Sequence, residues 1–149
     1  LLNLAECISY KDDNPNICIS LARKAIRYAI QSNDSITISN SYQDLASFYG
    51  LGGNITLALK ATSESLRYNN KDDFSKIFAL SQFYVLADSL TQAKRKLSEA
   101  LPLNINDSCA YYSLKRDIAI KESDLANAAS LAGSTDRFMA KKTTENIKP

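Results

Sequence analysis

The sequence predicts an all-α fold assembled from repeated helical hairpins. Three observations predict it. Apolar residues recur at three- and four-residue spacing along most of the 149 residues, the period of a helix with one buried face. Four glycines and three prolines are few, and these are the residues that punctuate helices. The stretch 42–66 is followed by a second with the same order of large, small and aromatic residues, 35 positions later.

Within that stretch, Tyr42, Leu45, Ala46 and Tyr49 share one helix face. Gly52, Gly53 and Asn54 break the helix, and Ala58, Ala61, Ser65 and Leu66 form the inner side of a second one. Small residues at Ala46 and Ala58 allow two antiparallel backbones to approach, while the tyrosines fill the space beside them. The unit returns downstream as Ile77, Leu80, Ser81 and Tyr84, then Ala93, Leu97, Ala100 and Leu101. Upstream, Leu4, Ala5 and Ile8 precede Ala22, Ile26, Ala29 and Ile30. A fourth unit has Tyr112, Ala119, Leu125 and Ala128, but Lys115 and Arg116 stand where Leu and Ala are expected.

Taken in order, the first helix spans about 1–10, with Leu1, Leu4, Ala5 and Ile8 inward. A turn through Asp12, Asp13 and Asn14 leads to Pro15, which suits a helix start because its missing N–H is no loss there. The second helix runs over about 16–31. Asn33, Asp34 and Ser35 offer side-chain oxygens to the free N–H groups of a third, about 35–50. The fourth covers about 54–68, and Asn69, Asn70, Asp72 and Asp73 supply the next turn and cap. The fifth, about 73–87, is the most aromatic, with Phe74, Phe78, Phe83 and Tyr84. The sixth, about 90–101, stops near Pro102, and Asn104, Asn106, Asp107 and Ser108 cap a seventh over about 108–121. An eighth over about 124–131 is closed by Gly133, and Asp136 opens a last, basic helix over about 136–147.

The aromatic, Leu-Ala, Tyr, Ala spacing of Tyr42, Leu45, Ala46, Tyr49 and Ala58 resembles the tetratricopeptide repeat (TPR). The resemblance implies a right-handed α-α superhelix of about four hairpins plus a C-terminal helix. A single domain of units at about 1–33, 34–71, 72–106 and 107–133 follows, with the helix over about 136–147 last. It also implies a concave face lined by the first helix of each unit. At the family's groove positions stand Asn40, Gln43, Ser47 and Gly50, then Ser75, Phe78, Gln82 and Val85. Ser113 and Asp117 would follow in the fourth unit. Such a groove of amides and hydroxyls suits an extended peptide backbone, with Phe78 as an apolar anchor. The pocket for an acidic chaperone tail needs Lys and Asn at these positions, so that ligand is not expected.

A narrower resemblance covers Asn14-Pro15, then Ala22, Ala25, Ala29 and Asn33-Asp34, with Thr135-Asp136 opening the terminal helix. It is similar to TPR arrays of bacterial membrane-anchored regulators. That resemblance implies a sensory or scaffold region facing outside the cytoplasm, with a cytoplasmic setting as the alternative. Any membrane attachment would come through segments this chain lacks. The first residue is Leu1 rather than Met, so a fragment or processed product is expected.

Chemistry is sparse. Without histidine the commonest acid–base group near neutral pH is missing. Asp12-Asp13 and Asp72-Asp73 lie in turns and read as caps. No Gly-x-Ser-x-Gly elbow and no phosphate loop occur. We expect a non-enzyme with no cofactor and no metal. Cys7, Cys18 and Cys109 are an odd set without a CxxC motif, and read as small buried hydrophobes. A Cys7–Cys18 bridge stays open as an alternative.

A net charge of +2 gives no field that favours nucleic acid. Lys94-Arg95-Lys96 and Lys115-Arg116 are read as solvated faces, and no nucleic acid is expected. The expected partner is a protein or peptide segment in the groove, or a second copy of the chain as a homodimer. A dedicated small-peptide signal receptor and nucleic-acid binding through the basic outer face are the alternatives.

Overall fold

The computed structural model describes residues 15–69 and 74–146, leaving aside the side chains of residues 15 and 142–146. Among them the chain is all-helical: α1 Pro15–Gln31, α2 Ser35–Leu51, α3 Ile55–Tyr68, α4 Phe74–Leu86, α5 Leu90–Glu99, α6 Ile105–Lys121 and α7 Leu125–Asn146. The helix expected over 1–10 and its turn to residue 14 lie outside the described residues. The chain divides into two compact units between Lys71 and Asp72. In the first, α1 packs on α2 and α2 on α3; in the second, α4 packs on α5 and α6, α5 on α6, and α6 on α7.

Each hairpin is closed by the same turn. Gly53, Asp88 and Ser123 have left-handed backbones, with φ of 74°, 56° and 61°. The next N–H reaches back across the turn in every case: Asn54 to the Tyr49 carbonyl at 2.8 Å, Ser89 to Tyr84 at 2.9 Å, Asp124 to Ala119 at 2.9 Å. These are the long hydrogen bonds that satisfy the last carbonyls of a helix at a left-handed C-terminal cap. Successive turns are 35 residues apart at every equivalent atom. Asn33, with φ of 53°, ends α1 the same way, its neighbour Asp34 donating to Ala29 at 3.1 Å.

Caps at the other ends follow from side chains. Asp34 accepts from the Thr37 N–H at 3.0 Å and Asn54 from Leu57 at 3.3 Å. Asn104 accepts from Asp107 at 2.9 Å, while its own amide donates to the Asp107 carboxylate at 2.9 Å. That reciprocal cap starts α6 at Ile105, earlier than the sequence suggested, because Asn104 rather than Ser108 supplies the oxygen.

Five residues after Gly53, Asp88 and Ser123 an alanine is buried: Ala58 and Ala93 are 0% exposed, and Ala128 is buried too; Ala22 is enclosed in α1. The first unit adds a polar clasp. Ser39 donates its hydroxyl to the Ser65 carbonyl at 2.8 Å, and Ser65 returns the bond to Ser39 at 2.8 Å, both fully buried. Each hydroxyl carries one proton, so the 3.1 Å approach of the two oxygens is a consequence of the pair rather than a third bond. Positions 74 and 100, 35 residues on, hold Phe74 and Ala100 in the apolar core of the second unit.

Two expectations are corrected. Gly133 does not close a helix, and Asp136 does not open one: both lie inside α7. A single glycine costs a helix about 1 kcal/mol relative to alanine, too little to end a run flanked by Leu131, Ala132 and the 134–141 segment. No proline is there to remove a hydrogen bond. Cys18 is buried and Cys109 half-buried, and neither is in a disulfide; Cys7 lies outside the described residues.

Ala58→Leu and Ala93→Leu should each overpack a helix pair and destabilise by about 1–3 kcal/mol, measured by denaturant unfolding. Ala87→Leu, at an exposed position, serves as the control and should leave the midpoint nearly unchanged.

Candidate functional site

Asn40, Gln43, Ser47 and Gly50 fall three or four residues apart on α2, one stripe of one helix. Asn40 and Ser47 are exposed, Gln43 and Gly50 half-buried. Ser47 donates to the Gln43 backbone carbonyl at 3.2 Å, which turns its hydroxyl onto its own helix. The Gln43 Oε1 atom is buried and accepts no hydrogen bond among the described residues. An amide carbonyl hidden from water without a donor is costly, so this is the one place on α2 where a missing N–H is indicated.

Beside it is Asp44, which sequence reasoning passed over. It is half-buried, and burial raises its carboxyl above the ordinary aspartate value. Its signal was available: Asp44 is the single charged residue of α2, placed between the stripe residues Gln43 and Ser47. Nearby, Tyr42 stacks on Tyr68 of α3 at 5.9 Å. Arg23 of α1 donates to the Tyr49 hydroxyl at 2.6 Å with its guanidinium over the same ring, 5.9 Å from the centroid.

The second unit arranges its predicted residues differently. Ser75 and Gln82 are exposed on α4. Phe78 stacks on Phe74 at 5.4 Å and packs against the core. Val85 is 7% exposed and belongs to that core, so its side chain offers no surface to a ligand. On α6, Ser113 is half-buried, and Asp117 is exposed and held by Arg116 at 3.1 Å.

The basic clusters are largely compensated. Lys94 pairs with Glu122 at 2.7 Å and Lys96 with Glu99 at 2.8 Å. Lys115 lies over the Tyr111 ring, 5.1 Å from its centroid. Among the described residues no group of three or more His, Cys, Asp or Glu could hold a metal ion, and no helix is long and apolar enough to cross a membrane. Compared with known proteins, the chain matches no family model and no curated relative.

A carboxyl whose folded pKa is raised costs stability above that pKa and costs nothing where it is protonated in both states. Asp44→Asn should therefore stabilise the protein at neutral pH. The gain should fade as pH drops through the raised value towards about 3.9, the ordinary aspartate pKa. Thermal unfolding of both proteins from acid to neutral pH checks this; a variant less stable at neutral pH would mean that Asp44 is held by a cation.

Proposed function

We propose that the chain is a tetratricopeptide-type interaction module that binds an extended peptide or protein segment along the first-helix faces of its hairpins. The observation that carries the reading is the return of one hairpin at 35-residue intervals, with the same left-handed residue, the same cross-turn hydrogen bond and a buried alanine. Hairpins that return in this way each present a first-helix face, which suits a partner that is itself extended.

The chemistry of the α2 face supports a donor-rich ligand. Gln43 Oε1 is an acceptor without a donor, and Asp44 is a half-buried carboxylate. A peptide N–H would satisfy the first, and a basic side chain would offset the burial of the second. On α4, Ser75 and Gln82 supply the polar contacts. Phe78 acts there as a packing residue, stacked on Phe74 and set against the core, not as a free anchor.

A larger bacterial regulatory protein is the setting we propose for the module, as its sensory or scaffold part. The support is the segment from Pro15 through Ala22, Ala25 and Ala29 to Asn33-Asp34. Thr135-Asp136 no longer contributes, since it sits within α7. The alternative of a small-peptide receptor with a deep pocket at Phe78 is weakened by the stacking of that ring on Phe74. Nucleic-acid binding is weakened by the ion pairs of Lys94, Lys96 and Arg116.

The test is an array of short unstructured peptides probed with wild type, Gln43→Ala/Ser47→Ala and Ser75→Ala/Gln82→Ala. Binding should fall about tenfold in the variant whose face is used, the loss expected for one or two hydrogen bonds. Asp44→Asn should selectively lose peptides rich in Lys and Arg. Equal binding by wild type and both double variants would place the ligand elsewhere.

A further inference from the structure

We propose that a cleft between α5, α6 and α7 is a second binding site, for a carboxylate carried on an apolar or aromatic body. The cleft lies wholly within the second unit and uses none of the groove residues. Its volume is about 220 Å³, below the roughly 300 Å³ at which pockets for drug-sized ligands begin. It therefore suits one ring or one branched chain, not a folded partner. Leu97 and Ile118, each 2% exposed, line its base, and Tyr111 forms a wall. An apolar group entering here leaves water for aliphatic carbon and one aromatic face.

The rim decides the charge of the ligand. Lys94, Lys115 and Glu122 all border the cleft. Lys94 and Glu122 cancel in their 2.7 Å ion pair. Lys115 has no carboxylate partner among the described residues; its ammonium is positioned by the Tyr111 ring at 5.1 Å. One positive charge is thus left at the mouth of an apolar hollow. A carboxylate can take it without breaking an existing pair, whereas an amine would meet repulsion.

The position of Lys115 follows from a fault in the repeat. Leu80 and Leu45, 35 and 70 residues earlier, are core residues. In α6 the core is served by Leu114 and Ile118 instead. Lys115 is exposed and borders the cleft.

The test titrates the full chain with phenylacetate, N-acetyl-glycyl-phenylalanine, phenylacetamide and phenethylamine, followed by amide chemical shifts. The carboxylates should shift the signals of Tyr111, Ala119 and Leu131, the neutral amide should bind more weakly, and the amine should not bind. Phenylacetate binding supports a free acid as the source, and binding of the dipeptide alone supports a peptide C-terminus. Lys115→Gln, at an exposed helix position, should weaken binding about tenfold, the effect of one charge-assisted hydrogen bond. Glu122→Gln, which releases Lys94, should tighten it. Equal binding of acid and amine, no binding by either carboxylate, or no effect of Lys115→Gln would overturn the proposal.

Discussion

The left-handed residue at each hairpin turn is the constraint on which the rest depends. It reverses the chain within three residues while leaving the last carbonyls of the first helix paired. The reversal is tight, so the two helices must run close together. The residue that meets the partner one turn into the second helix must then be small, and Ala58 and Ala93 are the result. Gly53 adopts this backbone without penalty. Asp88 and Ser123 carry side chains there, at a cost of order 1 kcal/mol. Their hairpins therefore depend more heavily on the packing beyond the turn.

The two units build that packing from different materials. The first has a core rich in alanine with Ser39, Thr62 and Ser65 enclosed. Its helices are joined by hydrogen bonds that only work at one distance, and Ser39 and Ser65 exchange theirs reciprocally. The second places Phe74 and Ala100 at the equivalent positions and relies on apolar contact with Leu97, Leu114 and Ile118. Hydrogen bonds fix geometry closely but contribute only about 1 kcal/mol each in net terms. Apolar burial contributes more and specifies less. The same hairpin is thus held more by direction in one unit and more by area in the other.

Much of this was legible in the chain. Spacing and cap residues place α1 to α5 to within two residues, helped by Pro15, Asp34 and Asn54, which sit where backbone N–H groups need to be met or dispensed with. The failures have physical causes. Gly133 has the residue type of a stop but lies within α7, and φ is positive at Gly53 alone among the described glycines. Val85 holds a groove position in the repeat pattern but is buried in the core of the second unit. Its side chain is apolar and follows the core, which a positional transfer from a family cannot anticipate. The orphaned Gln43 oxygen was out of reach, since no sequence pattern says which amide will lack a donor. Asp44 was within reach, as a lone charge on a neutral helix.

The departure of α6 from the repeat shows how a scaffold of equivalent hairpins acquires an individual feature. Strict repetition would put an apolar residue at 115 and close the space beside Tyr111. Lysine and arginine at 115 and 116 cannot be buried without partners, and the residues that α6 buries are Leu114, Ile118 and Ala119. The hairpin stays intact, because the Asp124 N–H still reaches the Ala119 carbonyl and Ala128 is still buried. What changes is the surface: a cation, an aromatic face and an aliphatic base come together at one cleft. The loss of the repeat signature in the sequence and the appearance of a distinct site are one physical event, and irregular units are where ligand chemistry is to be sought in such a fold.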